Sequence, residues 1–71
     1  MIVDLDNRGL PPPEPMMHIL EALDTLARGD EVRALLDREP LFLYPELDDR
    51  ALAYDCSRND DGSYTLRVRY L

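Results

Sequence analysis

His18 and Cys56 are the only histidine and the only cysteine in the chain, so metal or thiol chemistry has to start from them. Glu14 lies four residues before His18 and Glu21 three residues after it, and on a helix the three share one face. An imidazole between two carboxylates has the donor types of a metal site. The same spacing describes a solvated helix face with local charge pairing, and no second histidine or cysteine completes a ligand set. The second description is the one we adopt. Cys56 shares parity with Leu52 and Tyr54, so it faces the core if they do, and a buried free cysteine acts as a small hydrophobe. A reactive thiol would need exposure and a basic neighbour, for which Arg58, two residues on, is placed. Asp48-Asp49 and Asp60-Asp61 lack the periodic acidic loop and closing glutamate of a calcium site. There is no Ser/His/Asp, Cys/His or glycine-rich nucleotide motif. The sequence supplies no nucleophile-and-base pair, and the expectation is a non-enzymatic chain with no catalytic residue, no metal site and no cofactor.

Composition narrows the remaining classes. Seventy-one residues allow one domain, 1–71. A single cysteine excludes an internal disulfide and points to a reducing, cytoplasmic setting. Fifteen acidic residues against eight basic ones give a net charge of −7, which repels phosphate backbones and anionic lipid surfaces. We expect no nucleic-acid partner and no membrane. No apolar run approaches spanning length, and no basic-then-apolar leader is present, so the chain is read as soluble and unprocessed.

The elements that must position any site follow from periodicity. Met1 to Asp6 alternates, with Val3 and Leu5 on one side, and predicts a short half-buried strand. Asn7-Arg8-Gly9 predicts a turn. From Met16 to Ala27 the apolar positions Met16, Ile19, Leu20, Leu23, Leu26 and Ala27 form one helical stripe. The prolines before it suit a helix start, with Pro12 as N-cap, Pro13 as N1 and Pro15 as N3, because the first amides have no intrahelical acceptor. Gly29 is the expected left-handed end of this helix. Glu31 to Asp37 predicts a second strand, with Val32, Ala34 and Leu36 inward, and the strand–helix–strand order predicts parallel pairing. Pro40 to Ala51 predicts a second, less regular helix on Leu43, Leu47 and Ala51, kinked or 3₁₀-like near Pro45. Leu52 to Arg58 and Ser63 to Leu71 predict a hairpin about Asn59-Asp60-Asp61-Gly62. Leu23, Leu47, Leu66 and Val68 are expected in one core layer. The opposite sheet face should carry Asp4, Asp6, Glu31, Arg33, Asp55, Arg67 and Arg69, with Ile2 and Leu35 as apolar exceptions. Two helices that both need a sheet to bury against predict an α+β two-layer sandwich.

The segment Leu5-Asp6-Asn7-Arg8-Gly9-Leu10, followed by Pro12-Pro13-Glu14-Pro15, resembles the signature of the TusA/SirA-like sulfur-carrier superfamily. There an L-D-x-x-G-L segment leads into Cys-Pro-x-Pro at the first helix. The resemblance continues through Asp37, Pro45 and the Asp-Gly hairpin, and so spans essentially the whole chain. Arg8 to Pro15 and Asp37 to Leu47 resemble more closely a sub-family of small domains of unknown function, with R-G-L-P-P-P-E-P in place of Cys-Pro-x-Pro. The resemblance implies βαβαββ connectivity with a four-stranded mixed sheet in the order 1-2-4-3 and both helices on one face. It also places Pro12 where the family's sulfur-carrying cysteine stands. Proline has no nucleophile, so the family's sulfur transfer does not carry over to this position, and no stable persulfide is expected.

What remains is binding. Arg8, Pro11, Pro12, Pro13, Glu14 and Pro15 form a stiff segment that could dock a protein partner at low entropy cost. The same prolines also serve simply to start a helix, and Pro13 and Pro15 remove amides that a phosphate site would use. The leading expectation is a non-catalytic interaction module with an unidentified protein partner. The alternative is an accessory protein that handles sulfur, metal or redox chemistry through Cys56 or His18.

Overall fold

The computed structural model describes residues 1–70; Leu71, placed above at the end of the last strand, lies outside them. The order is β1 (Ile2–Asp6), α1 (Glu14–Asp24), β2 (Glu31–Leu36), α2 (Tyr44–Asp49), β3 (Leu52–Arg58) and β4 (Tyr64–Tyr70). The four strands form one mixed sheet in the order β1-β2-β4-β3. β1 pairs with β2 in parallel, while β4 is antiparallel to both β2 and β3. The fold is the expected α+β sandwich.

Alternation sets which face each strand buries. Val32, Ala34 and Leu36 of β2 face Val68, Leu66 and Tyr64 of β4 in register, and Leu66 and Val68 lie beside Cys56 and Tyr54 of β3. Ile19 and Leu23 of α1, Leu43 and Leu47 at α2, and Leu52 complete this layer as buried side chains, with Leu26 just past the end of α1. The four residues expected in one layer are all buried. On the other face Arg67 bonds Asp55 across β3 and β4 at 3.4 Å, and Arg33 pairs with Glu31 along its own strand. Ile2 is exposed and Leu35 half-buried there, as alternation requires.

Both helices are shorter than periodicity suggests. Pro13, not Pro12, is the N-cap of α1, which puts Glu14 at N1 and Pro15 at N2. The reason is a separate turn: Glu14 N–H donates to Pro11 C=O at 3.0 Å, and the first α-helical bond is Met17 N–H to Pro13 C=O at 3.1 Å. The Pro12–Pro13 peptide within the turn is cis. α1 also ends at Thr25, short of Gly29. The Thr25 hydroxyl and amide both donate to Ala22 C=O, and Leu26 N–H donates to Leu23 C=O. Such i−3 bonds tighten and close a last turn. Gly29 instead shapes the turn closed by Asp30 N–H on Ala27 C=O, and Ala27 is exposed.

α2 begins only at Tyr44. Pro45 therefore sits at N2, where a missing amide forfeits nothing, and residues 41–43 form a turn closed by Leu43 N–H on Pro40 C=O. Ala51 does not extend the buried stripe. It is exposed, with φ of 56°, and turns the chain out of α2 as a left-handed C′ residue.

Candidate functional site

The turn before α1 and the segment between β2 and α2 lie side by side and enclose an open groove of about 630 Å³. Pro11, Pro12, Pro13 and Pro15 line one side; Pro40, Leu41 and Phe42 line the other. Met16 is half-buried between them, and the buried Ile19, Leu36 and Leu43 connect the groove to the core. Phe42 is 90% exposed and Leu41 62% exposed.

Two polar clamps hold the groove's walls. Asn7, 3% exposed, donates its backbone N–H to Leu35 C=O at 3.0 Å and its side-chain amide to Pro15 C=O at 3.3 Å. One side chain thus ties the end of β1 to the first turn of α1. Gly9, at φ of 80°, donates its N–H to Asp37 Oδ2 at 2.6 Å and so joins the two loops. A residue with a Cβ is strained at that φ, which is why glycine serves here.

Four of the six docking candidates, Pro11, Pro12, Pro13 and Pro15, line the groove; Arg8 and Glu14 do not. Arg8 is turned to Asp6, which accepts from Nε at 2.9 Å and from Nη2 at 2.8 Å, with Asp61 of the β3–β4 hairpin 4.0 Å away. Hydrogen bonds from the Arg8 side chain and then its amide lower the Asp6 pKa to about 2. Glu14 is exposed at the head of α1 beside the groove prolines. Asn7 and Asp37 stand in the sequence only as turn and motif residues, and Leu41 and Phe42 carry no site expectation there. Phe42 carried a usable signal, since a phenylalanine off the Leu43/Leu47 stripe has no reason to be buried.

The metal and thiol candidates stay apart. His18 is exposed on α1, and among the described residues no three His, Cys, Asp or Glu side chains converge on a metal position. Cys56 is half-buried against the core. Nearby, the Tyr44 ring stacks on Tyr54 with centroids 5.1 Å apart and planes 10° from parallel. Tyr44 donates its hydroxyl to Glu39 at 3.0 Å, and Tyr54 donates to Asp48 at 2.9 Å. Burial pushes the Cys56 thiol pKa up, the reverse of what a nucleophile needs. Burial, followed by hydrogen bonding toward Cys56 and Glu39, raises Tyr44 well above the usual phenol range.

This fixes the sign of an alkaline effect. Both folded-state pKa values lie above their unfolded ones, so the native state keeps protons that the unfolded state releases. The resulting stability is full below about pH 8.5 and is lost as pH rises through the folded values. The melting temperature is expected to fall between about pH 8.5 and pH 11. The double variant Tyr44→Phe/Cys56→Ser should show a flatter decline; a slope equal to wild type would place the alkaline loss elsewhere.

Comparison with known proteins bears on the scaffold. A family model described as uncharacterized conserved protein (DUF2249) matches residues 4–70. The crystal structure of a SirA-like protein from Desulfitobacterium hafniense superposes with a TM-score of 0.82 and 21% sequence identity, covering 96% of this chain and 95% of that one. At that identity the likeness establishes the fold. No curated protein matches.

Proposed function

We propose that this chain, which belongs to the DUF2249 family, is a non-catalytic protein-interaction module that docks a partner in the groove between the proline turn and Phe42. The observation that carries the proposal is the joining of two apolar segments, distant in sequence, into one groove beside two large exposed side chains. Leu41 and Phe42 project into solvent although the core lies directly behind them, and an apolar surface of this kind is typical of a binding face. The polar clamps at Asn7 and Gly9 hold the walls in place before binding, which lowers the ordering cost.

Two further observations support a docking role over a carrier role. Pro12 stands where the sulfur-carrier resemblance would require a cysteine, and Cys56 is the chain's only thiol, held protonated by burial. The single cysteine fits a reducing, cytoplasmic setting. Among the described residues no helix is long and apolar enough to cross a membrane.

The test is the double variant Leu41→Ser/Phe42→Ser beside wild type in quantitative capture from native lysate. Both side chains are solvent-facing, so melting should shift little, within about 0.5 kcal/mol of stability per site. Specifically captured proteins should be lost. Capture that survives in a folded double variant would remove the groove as the docking surface.

A further inference from the structure

We infer that the occupant of this groove is a cationic peptide segment, with apolar anchors flanked by lysine or arginine, which rests on the groove being the docking site proposed above. Backbone chemistry is the first reason. Pro11, Pro12, Pro13, Pro15 and Pro40 all line the groove, and proline has no N–H. At these five positions the backbone offers no donor, while the Pro11, Pro13, Pro15 and Pro40 carbonyls already accept from Glu14 N–H, Met17 N–H, the Asn7 side-chain amide and Leu43 N–H. The lack of backbone donors at these positions disfavours a phosphate or a carboxylate there. Charge is the second reason. Asp37 and Glu39 lie on the lining and Glu14 stands exposed beside Pro13 and Pro15, against Arg38 as the one basic lining residue. Two acids against one base on the lining repeat locally the bias of a chain at −7. The same charge disfavours a second copy of this chain, since two such surfaces would repel as they met. A lysine stem can lie along Leu41 and Phe42 while its head reaches the acidic rim.

The experiment is selection from a displayed library of random short peptides on the intact, immobilised protein, followed by fluorescence polarisation with the selected peptides synthesised and labelled. Enrichment of sequences that combine aromatic or aliphatic anchors with net positive charge is expected. Affinity should fall about tenfold or more in Leu41→Ser/Phe42→Ser. It should fall about two- to fivefold in Glu14→Gln and in Glu39→Gln, with a loss that shrinks as salt is added. Neutral or acidic apolar peptides that need Leu41 and Phe42 would overturn the cationic assignment and leave the groove as a docking site. Cationic peptides that bind the double variant equally well would mean surface attraction alone and overturn it too. Failure to select any peptide dependent on Leu41 and Phe42 would sink both readings. Sedimentation showing a wild-type dimer that Phe42→Ser dissociates would replace the peptide with a second copy.

Discussion

Replacing Leu66 with alanine is expected to take away about 2–5 kcal/mol of stability, the range for truncating a fully buried leucine. Leu66 is 0% exposed on β4, which lies between β2 and β3, and its register partners are Ala34 and Cys56. Neither neighbour is large enough to fill the space left behind. A domain of 71 residues has a total stability of about 4–11 kcal/mol, so this one change removes a large share. The midpoint of thermal unfolding should drop by about 10 °C or more, or the variant should fail to fold. Phe42→Ala is the control: it removes a larger side chain from a 90% exposed position and should move the midpoint by no more than a few degrees. A Leu66→Ala protein that melts with wild type would show that the core is packed differently from the layer described here.

The second large effect is expected at Asn7. Asn7→Ala removes the side-chain amide that holds the first turn of α1 to the end of β1, at a cost of about 1–3 kcal/mol. Asn7→Asp keeps the shape and is predicted to be worse. It cannot donate to Pro15 C=O, and it places a carboxylate against a carbonyl oxygen at a site only 3% exposed. Burial without a donor raises the folded-state pKa of the introduced group above its unfolded value of about 3.9. The added penalty is therefore present near neutral pH and is relieved as pH falls through the folded value. Urea unfolding of both variants near pH 7 and near pH 4.5 tests this: Asn7→Asp should be the less stable at the higher pH and recover relative to Asn7→Ala at the lower one. A gap independent of pH would mean that the introduced carboxylate reaches solvent and that Asn7 is not the clamp.

Most of the scaffold was legible because it rests on local rules. Alternation placed Val3, Leu5, Val32, Leu66 and Val68 on the correct face, since a strand's side-chain period of two leaves no other choice once one face is buried. Asp61-Gly62 marked the hairpin, where Gly62 has φ of 88°. The strand order 1-2-4-3 came from resemblance and is the order observed. Helix ends were less legible, because several backbone solutions compete there at similar energy. Thr25 closed α1 early through its own bonds to Ala22, and the turn at Pro11 displaced the helix start by one residue.

The candidate site divides along the same line. The amino-acid sequence by itself determined that Pro11, Pro12, Pro13 and Pro15 form a rigid apolar stretch without amide donors, that His18 and Cys56 are the chain's only histidine and only cysteine, and that position 12 bears no thiol. Only the tertiary structure decided that this stretch faces Leu41 and Phe42, that Asn7 and Asp37 fix the two loops, and that Arg8 turns away to Asp6. The physical reason is sequence separation. The proline turn and Phe42 lie on segments about thirty residues apart, and parallel pairing of β1 with β2 brings the C-terminal ends of those strands, and hence the loops that follow them, to the same end of the sheet. No periodicity within either segment encodes that meeting.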